Sequence, residues 1–555
     1  MMNLKRTSLG LAVLFVSAGV GVGCTDSGGS CEDTLTCGNG GSAGTAGNGG
    51  AAGAGGNSMG GSAGDAGSAG SGASGGAAGS GATGGTAGTA GAGGTGPVCD
   101  PTSAPGDDAC VIDDQYAMFV SPNGDDTSGD GSQASPFASI AKGITAANTA
   151  GKRLYVCADG GSYDEQVSLD ATNAGVQAWG SFKCSDWSYD NTLKATVAPS
   201  VEGYALSADS VTTDTRLEGF EFDAQSATSA GGNSIAAFVK DSTALTLVSV
   251  KLVAGDGMKG ADGARADYSQ PANTAIDGKN ANMLAGGGSQ SYAACPGGGT
   301  TVGAIGGAGD AATPAGGGDG TPALTSPDAN GGKGGVGGLP LKACNAEGGG
   351  NAGNAGPAGS PGAGASILGT LSTIGWVAEN GTDGQPGSVG QGGGGGRGGT
   401  TGGGGGGGAG GCGGAPGGAG QGGGASVALM LVASPITLTN VDLVAGNAGA
   451  GGKGSDGQAG LFGGKKGSGT GTGSGTSFGC DGGFGGDGGG GGGAGGGAGG
   501  VSVGILFSGT APTVSGGSTT KGSAGAAGAG GTAGSGSVKA SDGVAGVSED
   551  TLDMS

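Results

Sequence analysis

Apolar positions along the chain gather into pairs of short, β-branched runs that hand over to glycine. The clearest copy spans 426–457, SVALMLVASPITLTNVDLVAGNAGAGGKGSDG, and an earlier one spans 234–263, SIAAFVKDSTALTLVSVKLVAGDGMKGADG. Aligned with one gap, Leu247, Val250, Leu252 and Val253 lie over Leu438, Val441, Leu443 and Val444. A weaker copy, SVGILFSGTAP, spans 502–512, and a fragment at 376–381 matches the end of the unit. A single unit leaves its apolar face wet, whereas stacked units cover one another, which is the logic of a solenoid. The copies are therefore expected to stack, with Leu252 beside Leu443. Further β-runs at similar spacing fall at 176–179, 195–197, 204–206, 216–222, 235–239 and 245–253, and the stretch from Arg216 to Phe222 alternates as a half-buried strand should.

Between the copies glycine takes over with a period of three. It falls at 381, 384, 387, 390 and 393, again at 451, 454, 457, 460 and 463, and again at 522, 525, 528, 531 and 534. Three residues per turn is the period of an extended polyproline-II helix, and glycine along one edge permits close approach of a neighbouring backbone. Proline is scarce, 18 residues against 153 glycines, so the reading is polyglycine-II-like rods rather than collagen, with plain low-complexity disorder as the alternative. Gly303, Gly306 and Gly309 against Gly331, Gly334 and Gly337 read as rods running out and back.

The stretch ahead of the copies holds Phe119-Val120-Ser121-Pro122-Asn123-Gly124-Asp125-Asp126, then Gly131-Ser132, Pro136-Phe137-Ala138-Ser139-Ile140, Leu154-Tyr155-Val156-Cys157 and Gly161-Ser162-Tyr163-Asp164-Glu165. Physically this is a strand, a turn cluster, a short helix with apolar residues at 137, 140 and 144, and a second strand. The order resembles the opening cap and first coil of right-handed parallel β-helix, pectin-lyase-like proteins, with Ser139 where that family usually has Thr. The resemblance implies an all-β right-handed parallel β-helix solenoid carrying the glycine segments as long inserts. Catalytic members of that family use clustered acids, often with calcium and a basic residue, on one face of the coils.

The chain has no histidine among its 555 residues, which removes histidine-based nucleophilic sites and His-ligated zinc. Its 21 basic residues face 43 acidic ones, a net charge of −22, so it repels nucleic acid. There are 11 cysteines. Leu9 to Val20 is an apolar run behind Lys5 and Arg6, too short for a comfortable span, and it ends in Gly21-Val22-Gly23-Cys24. This resembles a bacterial lipobox, with Gly21 where Leu is usual, and implies lipidation of Cys24. Setting Cys24 aside leaves an even number of cysteines in an exported chain. Order along the chain pairs Cys31 with Cys37, Cys99 with Cys110, Cys157 with Cys184, Cys295 with Cys344, and Cys412 with Cys480. The glycine regions resemble the polymorphic GC-rich-repeat proteins of mycobacteria. The lipobox, the loop from Cys31 to Cys37, the tether and the cap together resemble exported lipoproteins of myxobacteria.

The expected organisation is a signal peptide at 1–23, a lipid-anchored Gly/Ala/Ser tether at 24–96, and the cap with the first coils at 97–255. Coils follow at 366–380, 425–446 and 501–515. Glycine-rich inserts fill 256–365, 381–424 and 447–500, and a glycine-rich tail runs over 516–555. Asp125, Asp126 and Asp130 suit calcium through oxygen, although turn chemistry explains the same residues. Apart from that calcium option no cofactor is expected. The charged coil residues Asp223, Lys240, Asp241, Lys251, Asp256 and Asp442 are scattered, with no paired acid at a set spacing. The sequence thus favours a non-catalytic, lipid-anchored envelope protein with a structural, adhesive or matrix role, in the outer membrane of a Gram-negative bacterium. Its partners would be the membrane, through the lipid, and extracellular polysaccharide or other surface proteins, with no nucleic acid. The alternatives are a polysaccharide lyase or glycoside hydrolase on the β-helix, marked by carboxylates gathered in a coil groove, and an ice-binding-like surface, marked by an outward Thr-x-Thr ladder of which only Thr437 and Thr439 hint.

Overall fold

The computed structural model of the chain describes residues 99–283, 288–472 and 477–555, all within the unit Gly93–Ser555. The expected signal peptide, the Cys24 anchor, the tether, and Cys31 with Cys37 lie outside the described residues. Among the described residues no helix is long and apolar enough to cross a membrane.

The protein is an all-β structure built on two large parallel sheets. The ten-stranded sheet runs β1 (Ala117–Val120), β2 (Arg153–Cys157), β4 (Gln177–Phe182), β7 (Thr215–Glu218), β10 (Leu245–Val248), β17 (Thr437–Val444), β11 (Lys251–Ala254), β8 (Phe220–Ala224) and β5 (Ala195–Val197), with β19 (Thr513–Thr520) on the far side of β17. The six-stranded sheet runs β3 (Val167–Leu169), β6 (Leu206–Asp209), β9 (Ser234–Lys240), β16 (Ser426–Val432), β18 (Ser502–Ser508) and β20 (Ser548–Asp553). The copies read from the sequence are neighbours in register: Leu252 pairs with Leu443, and Ser426 pairs with Ser234 on one side and Ser502 on the other. Alternation explains why. Leu247, Leu252, Leu438 and Leu443 face Ala237, Val239, Leu429, Leu431 and Phe507 in one continuous core, and burying each large side chain is worth about 1.5–3 kcal/mol.

Equivalent corners of the stacked units repeat one backbone solution. Gly219, Ser249, Asn440 and Gly516 are neighbours and all have positive φ, between 49° and 72°; Ser210, Asp241, Ala433 and Gly509 at a second corner have positive φ between 49° and 97°. A second column closes each unit. The hydroxyls of Ser234, Ser426, Ser502 and Ser548, the first three buried, donate to the carbonyls of Gln225, Gly255, Gly446 and Gly522 at 2.7–2.9 Å. Three excursions therefore leave at Gly255, Gly446 and Gly522 and return at the next serine of the same column, the first carrying two of the expected inserts and the third lying in the expected tail.

The first strands are covered by α1 (Ile140–Ala150), whose Ile140, Ile144 and Ala147 join the core. Ser139 caps its first turn and Gly151, at φ 63°, ends it. The Glu165 carboxylate also accepts from Ile140 N at 2.6 Å and Ala141 N at 3.0 Å. Tyr163 OH donates to the carbonyls of Cys157 at 2.9 Å and Val120 at 3.2 Å. The Gly-Ser-Tyr-Asp-Glu stretch thus ties strand, helix and turn together.

The glycine segments are ordered by backbone hydrogen bonds that recur at every third residue. Gly381, Gly384 and Gly387 donate to Gly420, Gly417 and Gly414, and the series continues in step to Gly399 and Gly402. Consecutive residues of one segment bond different neighbours: Gly393 N donates to Gly408 O at 2.8 Å, Gly394 N to Asn351 O at 2.9 Å, and Gly395 N to Gly318 O at 2.9 Å. A Cβ on these three would meet the carbonyl oxygens of Gly483, Lys333 and Ile305 at 2.2, 2.0 and 1.9 Å. An interior segment needs glycine at all three positions, which is why 392–396 and 488–493 are unbroken glycine, while outer segments need it only at each third residue. The legs expected to run out and back, 303–309 and 331–337, are joined through the segment between them: Gly318 N donates to Ile305 O and Gly317 N to Gly335 O, both at 2.9 Å.

Four sequence expectations are corrected. The coil expected at 366–380 is an antiparallel hairpin, β14 (Gly369–Ser372) with β15 (Gly375–Ala378), because only two residues separate its strands. Its Trp376 packs on Ile235, Phe238, Val427 and Met430. The 516–555 tail contains the rest of β19 and all of β20, which pairs with β18; β20 has Leu552 as its only large apolar residue, so no alternation marked it. The disulfides Cys99–Cys110 and Cys157–Cys184 form as chain order suggests, whereas Cys295 pairs with Cys412 and Cys344 with Cys480. Neighbourhood in the bundle decides those two. Ser291 Oγ donates to Gly407 O at 2.9 Å, holding β12 (Ser291–Ala294) and its partner β13 (Thr300–Gly303) against the segment that carries Cys412.

Candidate functional site

The six charged coil residues divide in the structure. Lys240 pairs with Asp209 at 3.0 Å. Asp241 occupies a positive-φ corner. Asp256 accepts from Asn447 N at 2.7 Å where an insert leaves the sheet. The other three come together with Glu221, which the sequence reading missed although its outward position follows from the alternation around Phe220 and Phe222. Glu221, Lys251, Asp442 and Ser518 are successive register partners. Lys251 Nζ lies 2.8 Å from Glu221 Oε1, and Ser518 Oγ donates to Asp442 Oδ1 at 2.6 Å. Asp223, two residues along on the same face, is held above the usual carboxylate range by burial and then by Glu221, with Lys251 opposing. An ion-paired carboxylate beside one of raised affinity for its proton is a base-and-acid arrangement, but this row lies on the outer surface of the sheet, with the Lys251 side chain 37% and that of Glu221 24% exposed.

The acids suited to calcium serve the cap. Asp125 accepts from Thr127 N at 2.7 Å and Ser128 Oγ at 2.6 Å, Asp126 from Ala138 N at 2.8 Å and Ser139 N at 3.1 Å, and Asp130 from Ser132 N at 3.0 Å. All three titrate below the usual range. Hydrogen bonds from Ser128 and Ser132 are the leading cause for Asp125 and Asp130, whereas for Asp126 the bonds from Ser139 and Ala138 outweigh its partial burial. Among the described residues the one grouping at metal-binding spacing is Cys99, Asp108 and Cys110. Its thiols are joined in a disulfide and Asp108 caps Cys110 N.

A polar cleft of about 580 Å³ lies between residues 104–107 and 189–191, over Arg216 and Glu218 of β7. The Arg216 guanidinium donates from Nε and Nη2 to Glu218 Oε2 at 2.9 and 2.5 Å, and Tyr189 OH donates to Glu218 Oε1 at 3.2 Å. Burial and then Glu218 push the Tyr189 phenol up to about 12. Beside Glu218 in register sits Trp179, 5% exposed, whose indole N–H has no acceptor among the described residues. With both Glu218 oxygens bound, the cleft is built to hold polar groups rather than to move a proton. Sequence reasoning could not assemble it, because its walls come from segments about 100 residues apart that meet only through the fold.

No family model matches the chain, and no curated protein and no solved structure is significantly similar to it.

Proposed function

We propose that the two parallel sheets are faces of a right-handed parallel β-helix of the pectin-lyase-like kind, that the glycine inserts form a polyglycine-II-like bundle beside it, and that the whole is a non-catalytic, lipid-anchored envelope protein with a structural, adhesive or matrix role. The observation that carries this reading is the bundle itself. Much of the described chain is spent on a solid of backbone hydrogen bonds that displays little side-chain chemistry, and the charged residues around it are used as clamps, as Asp256, Asp262 and Asp456 show by accepting from Asn447 N, Lys453 N and Thr532 N at 2.6–2.8 Å. Such a body suits load-bearing or display outside the cell, where disulfides persist. In the native host the protein should partition into detergent with a lipidated Cys24, be digested by external protease on intact cells, and leave cell–matrix cohesion weaker when deleted. A Cys24→Ala protein that still partitions with membranes refutes the anchor, and unchanged cohesion in the deletion strain refutes the structural role.

A second reading is favoured by one observation. Thr246, Thr437 and Thr513 form one outward row, and Val248, Thr439 and Ser515 form the next. Rungs about 4.8 Å apart give a regular array of hydroxyls and methyls of the kind an ice-binding-like surface requires. Ice-recrystallisation inhibition by the wild type, abolished in Thr437→Lys, would support it; equal activity of the two would remove it.

A further inference from the structure

We infer that the cleft over Arg216 and Glu218 binds an uncharged sugar unit of an extracellular polysaccharide, and that it rejects uronates. This deepens the matrix reading above by naming the ligand class. The first argument is charge. Asp107, Asp190 and Glu218 line the cleft, and the two cations beside them are already paired, Arg216 with Glu218 and Lys183 with Asp190 at 3.9 Å, which leaves Asp107 unbalanced. An anionic sugar would meet net negative potential. A metal ion fares no better, since these carboxylates do not form a grouping at metal-binding spacing among the described residues.

The second argument is which atoms remain to be satisfied. Glu218 has both oxygens bound, and Asp190 Oδ1 accepts from Thr192 N at 3.0 Å and Thr192 Oγ1 at 2.6 Å. That leaves Arg216 Nη1 as a donor, the exposed Asp107 carboxylate as an acceptor and the Asn191 amide as both, while Asp190 Oδ2 faces Lys183 Nζ at 3.9 Å. Vicinal hydroxyls, each donating and accepting, match such a mixed set, whereas a compact amine would use only its acceptors. The third argument is shape and rigidity. A Cβ at Gly106 would stand 2.9 Å from the Tyr189 ring, so glycine there lets the 104–107 loop close against the ring and fix that wall of the cleft. The loop above is pinned by Cys99–Cys110, and Tyr189 packs edge-on against Phe182 at 5.5 Å. A site held in shape before binding loses little entropy on closing round its ligand.

The test titrates purified full-length protein with tetrasaccharides of glucose, mannose and galactose and with tetragalacturonate, following indole fluorescence, to which Trp179 and Trp187 contribute, and calorimetric heat. The expected result is saturable binding of at least one neutral tetrasaccharide and none of tetragalacturonate. Asp107→Ala and Asn191→Ala should each weaken binding about tenfold, the loss of one hydrogen bond of about 1.4 kcal/mol, with the unfolding midpoint unchanged. No binding of any neutral tetrasaccharide overturns the inference, as does tetragalacturonate binding equally well or neutral binding indifferent to both substitutions. None of these outcomes alters the detergent-partition or cohesion results, so this inference and the envelope reading fail separately.

Discussion

Adjacent glycines in one segment should respond oppositely to the same substitution. A Cβ on Gly317 would lie 1.9 Å from Gly395 O, whereas a Cβ on Gly318 meets nothing nearer than 3.5 Å, the Ile305 Cγ2. Neither has positive φ. For the methyl added by Gly317→Ala to reach ordinary contact at 3.4 Å, the segments carrying Gly317 and Gly395 must separate by 3.4 − 1.9 = 1.5 Å. That distance breaks the ladder joining them, in which Gly392 N, Gly395 N and Gly398 N donate to Thr321 O, Gly318 O and Ala315 O at 2.9–3.1 Å. At about 1 kcal/mol net per bond the loss is about 3 kcal/mol. Alanine returns about 0.4–1 kcal/mol by narrowing the unfolded ensemble, so Gly317→Ala should destabilise by about 2–3 kcal/mol. Gly318→Ala keeps the gain without the loss and should be neutral or slightly stabilising. Urea unfolding gives the difference, and amide exchange at Gly392, Gly395 and Gly398 locates it, with faster exchange only in Gly317→Ala. Equal effects of the two variants would refute the close-packed bundle.

Arg397 is fully buried, donating from Nε to Lys342 O at 2.6 Å and from Nη1 to Gly398 O and Phe478 O at 3.0 and 3.1 Å. Arg397→Leu should lower the unfolding free energy by about 2–4 kcal/mol, since it strands these carbonyls; a neutral result in denaturant titration would show that they find water instead. Peptide mapping without reduction should recover Cys295 with Cys412 and Cys344 with Cys480, and Cys344→Ser with Cys480→Ser, opening a link across 136 residues, should destabilise by about 2–5 kcal/mol. Asp319 and Asp456 titrate below the usual range, chiefly because Gly334 N and Thr532 N donate to them. A depressed folded value means stability present above the ordinary carboxylate value, near 3.9, and lost as pH falls through the lower one. The unfolding midpoint should therefore hold from neutral pH to about 4 and drop below it, and Asp456→Asn should shrink that drop.

What the sequence disclosed was periodicity, and what it withheld was adjacency. The repeated apolar runs set Leu247 and Leu252 over Leu438 and Leu443, and burial then forces them into register. Three-residue glycine spacing marked the segments that bond to other backbones. Which segments become neighbours is not written in glycine, because every glycine looks alike to its partner. The proximity pairing of Cys295 with Cys344 failed for that reason. The fragment at Trp376 carries the right residues for a coil, but a two-residue turn after Ser372 closes it into a hairpin first. The charged row was half legible: Asp223, Lys251 and Asp442 stood out as outward charges, but only the register brings them beside Glu221. The cleft was not legible at all, since Tyr189 and residues 104–107 carry no period.

The sheet and the bundle are joined by one ladder that changes its side-chain period without breaking its hydrogen bonds. Leu252 pairs with Leu443 and Leu443 with Thr519; a few residues on, Gly257 N donates to Asn447 O at 2.8 Å and Ala448 N to Ser523 O at 2.9 Å. Stacked strands and stacked glycine segments are held by the same N–H···O=C bond, so inserts leaving from successive rungs are already at hydrogen-bonding distance. The switch lies in the side chains. β-Branched residues keep neighbours away above and below the sheet, and glycine lets a further backbone approach from those directions too. Ordering glycine costs about 0.5–1 kcal/mol more per residue than ordering alanine, and a net hydrogen bond returns about as much. An isolated glycine segment would therefore gain little by folding. The apolar core that aligns the exits at Gly255, Gly446 and Gly522, together with disulfides that tie distant segments, supplies the alignment the bundle cannot generate alone.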